Sequence, residues 1–498
     1  MTLGIDIGSS SIKLTLLDTD TGQVVTHAQL PEGREMRMAA PQPGWAEQDP
    51  ERWWVLVQEG CQRLLAHPKV SAEAIKAIGI SYQMHGLVLL DKNGGVLRPS
   101  IIWCDSRAVE IGEAAFAALG ADYCLGSLLN SPGNFTAAKL RWVQENEPEI
   151  YARIATVQLP GDFIAQRLTG VAVTTDSGLS EGVFYNFQKN GPAERLLNHW
   201  NIDSDLLAPR VPTFGEQGRV SAAAAKMTGL KTGTPITYRA GDQPNNALSL
   251  NVLNAGEVAT TAGTSGVVYG VTDRVEYDPK SRVNSFAHVN HGAADPRIGI
   301  LLCVNGTGIL NSWVKNNFGA ADYPAMNAEA ATTPVGADGL RMLPFGNGAE
   351  RVLENRRMGA SVHGLDFNRH GRGHVFRAAQ EGIAFALNYG FEIMKGMGLD
   401  PTVVRAGRAN MFLSPLFRET FVNTTGTAVE LYDTDGAQGA ARGAAIGAGI
   451  YASAKEAFGG LRCLETIRPI AELRAQYGEA YEEWRALLQR QLNDTEST

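Results

Sequence analysis

The sequence predicts a large α/β protein made of two similar halves around a central cleft, and three observations support this fold class. The chain has 498 residues, which is too long for one compact core and suits two large domains. Apolar residues make up 44% and charged residues 19%, so a sizeable core can form and wholesale disorder is excluded. Segments with strand and helix patterns alternate along the chain, without a low-complexity linker between the halves.

A strand–turn–strand pattern occurs once in each half. Residues 3–18 are LGIDIGSSSIKLTLLD, and residues 258–273 are VATTAGTSGVVYGVTD. Each is an apolar run of period two that is interrupted by glycine and small hydroxylated residues, which indicates a hairpin. The two hairpins favour a duplicated domain, although a long α/β chain contains many such units and chance could supply one. We place the boundary near residues 239–246, which gives domains 1–240 and 241–498.

Helices are predicted from apolar spacing and from caps. Residues 50–65 have apolar side chains at helical spacing after an Asp-Pro pair, a cap followed by proline in the first turn. Residues 376–395 form a second helix, and residues 436–454 form a third that is rich in alanine and glycine for close packing. Apolar residues within 473–492 line one face of a last helix, and such a stripe is typical of a packing face.

Charge and the amino-terminal sequence exclude several functions. The net charge is −8, which argues against binding of duplex nucleic acid. No secretory signal begins the chain, and its apolar runs are far shorter than the ~20 residues of a membrane helix. We therefore expect a cytoplasmic protein with neither nucleic-acid nor membrane partners.

The two hairpin turns are candidate phosphate-binding elements. The candidate groups of the first turn are Asp6, Gly8, Ser9, Ser10 and Lys13. Those of the second turn are Gly263, Thr264 and Ser265. Backbone N–H groups and hydroxyls in such turns can contact phosphates, while a carboxylate on the preceding strand can hold hydrated Mg²⁺. Each turn alone is more often only a tight turn, but together they could hold a triphosphate from both sides.

Three further places carry polar side chains at predicted strand ends. Asp242 follows an apolar run and precedes Gln243, so it could accept a proton from a substrate hydroxyl. The alternative is that Asp242 caps a helix, and the residues alone slightly favour this alternative. His85 lies between the short strands 77–81 and 86–91 and either faces a cleft or is structural. Trp103 and Asp105 suit a polyhydroxylated ligand, with a surface salt bridge as the alternative.

Segments along essentially the whole chain resemble the FGGY carbohydrate kinases. The segments that carry the resemblance are GIDIGSS (4–10), PGWAEQDPERWW (43–54), YQMHG (82–86), LRPSIIWCDSR (97–107), NFTAAKLRWVQEN (134–146), LPGDFIAQRLTG (159–170), AGD (240–242), TTAGTSG (260–266) and GAQGAARGAA (436–445). The resemblance implies two actin-like (ribonuclease H-like) ATPase domains, with ATP, Mg²⁺ and a sugar meeting in the central cleft. It also allows a homodimer.

The resemblance assigns roles to residues at the matching positions. Asp242 would be the general base, and Asp6 would position Mg²⁺ through its water ligands. The two hairpin turns would contact the phosphates. The sugar pocket would contain Met84, His85, Trp103, Asp105, Asn134, Asp242 and Gln243. The adenosine motif would correspond to Gly407, Arg408 and Asn410, where Arg408 either stacks on adenine, binds a phosphate or obstructs the pocket.

The substrate prediction depends on a few positions. Glycerol-phosphorylating members of the family have Arg-Glu in place of Met84-His85 and tyrosine in place of Asn134, so a ketopentose is indicated. We expect transfer of the γ-phosphate of ATP to the 5-hydroxyl of D-xylulose, giving D-xylulose 5-phosphate and ADP. The unusual residues at Gln243 and Asn134 leave another ketose or polyol, such as ribulose, as the alternative. The altered adenosine motif leaves a non-catalytic sugar- or nucleotide-sensing protein as a more remote one.

Overall fold

Two large β-sheets organise the chain, and each contains one of the predicted hairpins. The computed structural model describes residues 1–496. The strands are β1 (Thr2–Ile7), β2 (Ile12–Leu17), β3 (Val24–Leu30), β4 (Glu47–Gln48), β5 (Ala77–Tyr82), β6 (Val88–Leu90), β7 (Ser100–Ile101), β8 (Thr156–Gln158), β9 (Thr174–Thr175), β10 (Tyr185–Asn186), β11 (Gly191–Pro192), β12 (Arg210–Val211), β13 (Ile236–Gly241), β14 (Glu257–Ala262), β15 (Gly266–Thr272), β16 (Asn284–Ala287), β17 (Ile298–Val304), β18 (Arg341–Phe345), β19 (Gly359–His363), β20 (Val403–Gly407), β21 (Val429–Tyr432) and β22 (Cys463–Ile467).

The α-helices are α1 (Pro50–Leu65), α2 (Val109–Leu119), α3 (Ala121–Leu128), α4 (Thr136–Asn146), α5 (Pro148–Tyr151), α6 (Pro160–Thr169), α7 (Asp176–Glu181), α8 (Glu194–His199), α9 (Ala222–Thr228), α10 (Asp242–Ser249), α11 (Gly308–Asn317), α12 (Tyr323–Ala331), α13 (Arg372–Gly396), α14 (Pro415–Thr425), α15 (Gly436–Gly447), α16 (Ala454–Ala457) and α17 (Ala471–Glu496). Short 3₁₀ helices cover Ala72–Ala74, Ser204–Leu206, Ala337–Gly339, Arg351–Leu353 and Asn410–Leu413. Within residues 1–496 no helix combines the length and apolarity needed to cross a bilayer.

The two sheets share one strand order, which confirms the predicted repeat. The first sheet has the order β13-β5-β1-β2-β3, and the second has β16-β17-β15-β14-β20-β21-β22. In the first, β1, β2 and β3 are antiparallel and β5 and β13 run parallel to β1. In the second, β14, β15 and β17 are antiparallel and β20 and β21 run parallel to β14. From the opposite edge, the first sheet has the order β3-β2-β1-β5-β13. The second sheet repeats this arrangement in its five consecutive strands β17-β15-β14-β20-β21.

The predicted helices are present, and their caps explain their ends. The side chain of Asp49 accepts a hydrogen bond from the N–H of Glu51, so α1 begins where the Asp-Pro pair places it. In α17, Tyr477, Trp484 and the other apolar residues of the stripe pack into the core of the second half, as expected. The prediction of a helix to residue 454 is wrong, because α15 ends at Gly447 and the left-handed Gly449 (φ +67°) turns the chain away.

Helix α15 belongs to the second half of the sequence but packs on the first sheet. A Cβ atom on Gly4 of β1 would lie 1.8 Å from the carbonyl oxygen of Ala437, and one on Gly79 of β5 would lie 2.0 Å from that of Ala440. Only glycine permits this approach of helix to sheet. The packing places the amino terminus of α15 beside the carboxyl end of β1. The division into domains 1–240 and 241–498 stays a prediction.

Candidate active site

Three parallel strands end together at one edge of the first sheet. Asp6 on β1 lies opposite Ser81 on β5, and Ser81 lies opposite Ala240 on β13. Residues that follow these positions are therefore brought to the same edge, as is usual for ligand sites in α/β sheets. Asp6 is the penultimate residue of β1, Met84 follows β5, and Asp242 follows β13. The register thus gathers the three predicted site segments.

Asp242 occupies the first position of α10, while Gly241 is the N-cap residue. The alternative that Asp242 is the helix cap is therefore wrong. Asp242 keeps partial solvent exposure. Desolvation by the surrounding protein, and then the negative charge of Asp6, raise its pKa to about 7, although hydrogen bonds from Gln243 act in the opposite direction. A carboxylate whose pKa lies near neutrality is suited to accept a proton from a hydroxyl group.

Asp6 has a buried oxygen without a protein partner. Its Oδ1 atom accepts no hydrogen bond within the described chain. A Cβ on Gly436, the first residue of α15, would lie 2.4 Å from Oδ2, so glycine is needed there. Burial raises the pKa of Asp6, while Ser81 and Lys13 lower it. A carboxylate with an unused oxygen fits Mg²⁺, which commonly binds one or two carboxylates together with waters and substrate phosphates, and the neighbouring N-terminus of α15 suits the phosphates.

The first hairpin turn is anchored from both sides by its backbone oxygens. Gln48 Nε2 donates to the carbonyl oxygen of Ser9 at 2.7 Å, and the N–H of Met36 donates to that of Ser10 at 2.7 Å. Gly8 closes the turn through a 3.0 Å bond to Ser11 O. The anchored turn lies beside Asp6, and its role in phosphate binding stays a prediction.

His85 is held in an unusual backbone conformation by residues that sequence reasoning missed. Its φ angle is +63°, in the left-handed region that residues other than glycine rarely adopt. The Nδ1 atom lies 2.8 Å from the carbonyl oxygen of Glu181, and the carbonyl oxygen of His85 accepts a 2.8 Å bond from Lys139 Nζ. Burial lowers the pKa of His85 to about 3, so its ring is neutral. Lys139 is fully buried and lies in the FTAAKL segment, which was its only sequence signal.

Glu181 is a buried carboxyl group beside the predicted base and was also missed. A Cβ on Gly241 would lie 2.5 Å from Glu181 Oε2 and 2.6 Å from Met84 Cγ, so both side chains contact the residue before Asp242. Neither carboxyl oxygen has a hydrogen-bond partner of good geometry in the described chain. Burial raises the pKa of Glu181 well above its usual range, the nearby Tyr82 hydroxyl acts in the opposite direction, and the charge of Asp242 adds to the rise. The surrounding sequence, SGLSEG, contains no pattern that predicts this position.

The predicted pocket residues beyond His85 differ in their availability to a ligand. Asp105 is fully buried, where it pairs with Arg107 at 2.7 Å and accepts a 2.6 Å bond from Ala46 N. Asn134 donates from Nδ2 to the carbonyl oxygen of Asp105, and its Oδ1 is buried without a partner among residues 1–496. Trp103 is half exposed. The ion pair of Asp105 is thus buried rather than on the surface, and the sugar contacts of these residues stay predictions.

The second half contains a cavity of about 1120 Å³, which is large enough for a nucleotide. Of the predicted residues, Gly263, Thr264 and Asn410 line it. The turn is tied to the start of α11, since the N–H of Gly308 donates to Gly263 O at 2.9 Å. Asn311 also lines the cavity, and its Oδ1 is buried without a partner in the described chain. No motif around Asn311 predicts this position.

Arg408 does not line this cavity. Its side chain is exposed, and its N–H donates to the carbonyl oxygen of Tyr432 at 2.9 Å. Gly407 ends β20 directly before it, and Ser265 lies in the second hairpin turn. The cavity therefore remains open beside the altered motif, which does not support obstruction by Arg408.

Comparison with known proteins defines the class. Residues 1–249 match the N-terminal domain, and residues 258–452 the C-terminal domain, of the FGGY family of carbohydrate kinases. The chain belongs to this family and is a sugar kinase with the expected actin-like, two-domain fold. This assignment favours an enzyme over the alternative of a non-catalytic sensing protein.

Individual relatives agree on the class and differ in substrate. The chain is 29% identical over 503 residues to the xylulose kinase of Escherichia coli (strain K12), covering 99% of both proteins. It is 30% identical to the L-xylulose/3-keto-L-gulonate kinase of the same strain, covering 98% of this chain and 96% of that one. The crystal structure of xylulose kinase from Rhodospirillum rubrum superposes with a TM-score of 0.88 at 28% identity, covering 98% of each chain.

We predict that activity falls when the solution is made acidic. Because Asp242 has a pKa raised to about 7 and must be ionised to accept a proton, kcat/KM for the sugar should decrease as the pH drops below about 7. A cation bound near Asp6 would stabilise the ionised form and shift the midpoint to lower pH. Rates measured at saturating Mg-ATP between about pH 5 and 9 test this, and a flat profile would contradict it.

Proposed function

We propose that this sugar kinase transfers the γ-phosphate of ATP to the 5-hydroxyl of D-xylulose, giving D-xylulose 5-phosphate and ADP. The observation that carries the proposal is the convergence of Asp242, Asp6 and the Met84–His85 segment at one sheet edge. Asp242 accepts the proton of the attacking hydroxyl. The transfer itself demands little covalent chemistry from the protein, so positioning and charge neutralisation supply most of the rate.

ATP binds in the cavity of the second half, with its phosphates directed towards the two hairpin turns. Gly263 and Thr264 support this assignment because they belong to the second hairpin turn and line the cavity. Asp6 would hold Mg²⁺, which supplies charge neutralisation on the phosphates when bound. The N-terminus of α15, capped by Asp435, directs further backbone N–H groups to the same place.

The choice of D-xylulose is supported by the Met84–His85 pair and by the relatives described as xylulose kinases. A second candidate is a different ketose or keto acid, and the observation that favours it is the equal identity to the L-xylulose/3-keto-L-gulonate kinase. In both candidate functions Asp242 is the base, and the γ-phosphate is transferred from ATP to a hydroxyl of the sugar. They differ only in the sugar that the pocket accepts.

A coupled assay of ADP release tests the proposal. The purified protein is supplied with Mg-ATP and, separately, D-xylulose, D-ribulose, L-xylulose, 3-keto-L-gulonate, glycerol or no sugar. We expect kcat/KM to be highest with D-xylulose and the rate without sugar to be negligible, since water should be excluded from the closed cleft. A higher kcat/KM with another sugar would replace D-xylulose as the substrate. ADP release that no sugar stimulates would overturn the proposal as a whole.

A further inference from the structure

Arg351 extends from the second half towards the predicted sugar pocket of the first. It begins the 3₁₀ helix Arg351–Leu353, and the preceding residue, Glu350, accepts hydrogen bonds from the N–H of Asn305 at 3.0 and 3.1 Å. This anchors the segment beside α11. The guanidinium carbon lies 5.9 Å from the ring centroid of Phe135, which belongs to the first half. Arg351 is thus a cation that bridges the two halves.

The guanidinium group has unused hydrogen-bonding capacity. Its Nη1 donates to Ser281, to the carbonyl oxygen at 3.2 Å and to Oγ at 3.3 Å. Within residues 1–496 no carboxylate forms an ion pair with it. A guanidinium has five N–H donors, and Arg351 is partly exposed, so its remaining donors are open to solvent and available to a ligand. A ligand with several oxygen atoms would satisfy the remaining donors.

The surroundings of Arg351 connect it to the site of Asp242. The ring of Phe135 lies 4.9 Å from that of His85, and the ring of Phe286, from the second half, lies 5.5 Å from His85. The positive charge of Arg351 is one of the causes that lower the pKa of His85, after burial and Lys139. A continuous path of contacts therefore runs from the residue before Asp242 through Met84 and His85 to Phe135 and the guanidinium.

We propose that Arg351 binds the carbonyl end of the sugar and is a specificity-determining residue supplied by the second half. The inference depends on the proposed function: when the 5-hydroxyl faces Asp242, an extended ketose directs its 1-hydroxyl and 2-keto oxygen along the aromatic path to Arg351. The planar fork of a guanidinium can donate to two neighbouring oxygens at once. Binding of the correct sugar then requires both halves, which couples substrate recognition to closure of the cleft.

The test compares D-xylulose with 1-deoxy-D-xylulose, which lacks only the 1-hydroxyl. Wild-type protein should prefer D-xylulose by about 10- to 100-fold in kcat/KM, as expected for a hydrogen bond to a charged donor. In Arg351→Gln, kcat/KM for D-xylulose should fall by a similar factor and the preference should shrink to about 3-fold or less, with the KM for ATP unchanged. The matched control is Arg357→Gln, an exposed arginine six residues further on, which should behave as wild type.

Failure of this inference is separable from failure of the proposed function. If wild type phosphorylates another sugar faster, the proposed substrate is wrong, and the same comparison is made with that sugar and its 1-deoxy analogue. An Arg351→Gln variant that is folded and keeps the wild-type preference would overturn the role of Arg351. If this variant fails to fold, wild-type protein decides the question alone, because equal kcat/KM for the two sugars would also overturn it.

Discussion

Replacing Asp242 with asparagine is expected to lower kcat by about 10²–10⁴-fold, the usual contribution of a general base. Asparagine has nearly the same shape and can still accept a hydrogen bond, but it cannot take up the proton of the sugar hydroxyl. The KM values for ATP and sugar should change far less than kcat, because binding does not require proton transfer. Steady-state rates of ADP release with saturating Mg-ATP and sugar provide the measurement.

The stability of the same variant separates a catalytic from a structural role. The pKa of Asp242 is about 7 in the folded protein, which is higher than in the unfolded chain. Ionising this carboxylate therefore lowers the stability of the folded state as the pH rises above the pKa of the unfolded chain, and the loss is complete above about pH 7. A neutral asparagine avoids this loss. Thermal unfolding at about pH 8 should therefore occur at the same or a higher temperature than in wild type.

The matched control for this variant is Asp400→Asn, which alters an exposed aspartate. We expect this control to leave kcat unchanged. Retention of more than about a tenth of the wild-type kcat in Asp242→Asn would reject Asp242 as the base.

Much of the fold could be predicted because it is encoded in short segments. The hairpin of β1 and β2 and the hairpin of β14 and β15 each depend on alternation of apolar residues around a small-residue turn. The start of α1 depends on Asp49 and Pro50. These signals are local, so a single sequence contains them completely. The packing of α15 on the first sheet is not local, since Gly4 and Ala437 meet only after the chain has folded.

The site was predictable only where a residue lies at the end of a patterned strand. Asp6 lies near the end of one apolar strand and Asp242 directly follows another, so both positions could be selected from the sequence. Glu181 lies at the end of a six-residue helix, and its importance comes from contact with Gly241, sixty residues later. Arg351 is similar, because nothing in its own segment reveals that Phe135 and His85 lie nearby. Side chains that reach the pocket across long sequence distances require the tertiary structure.

Replacing Asp6 with asparagine is expected to reduce kcat by about 100-fold or more, since charge neutralisation by a metal ion contributes several kcal/mol to phosphoryl transfer. The substitution removes the negative charge of the Asp6 carboxylate, which would hold Mg²⁺. The Oδ1 atom of this carboxylate has no hydrogen-bond partner in the described chain. Asparagine retains the size of the side chain beside Gly436, so the packing of α15 is preserved. The rate is measured by ADP release at increasing concentrations of Mg²⁺, which should restore the variant only in part.

A binding measurement distinguishes a role in holding Mg²⁺ from a general effect on activity. In wild type, isothermal titration calorimetry should show tighter binding of ATP with Mg²⁺ than with EDTA, and this difference should largely disappear in Asp6→Asn because binding of ATP and of the cation is linked. The control is Asp20→Asn, an exposed aspartate in the turn after β2. An Asp6→Asn variant that keeps the full advantage of Mg²⁺ would refute the metal-holding role.

Asp6 and Asp242 also influence each other directly. The charge of Asp6 is one of the two causes that raise the pKa of Asp242, after desolvation. In the cation-loaded enzyme, however, Asp6→Asn also loses the Mg²⁺ that stabilises the ionised Asp242, so the acidic limb of its residual activity should lie at a higher pH than that of wild type at the same concentration of Mg-ATP. Loss of rate together with an acidic limb displaced to higher pH therefore identifies one site in which the cation held by Asp6 also tunes the base.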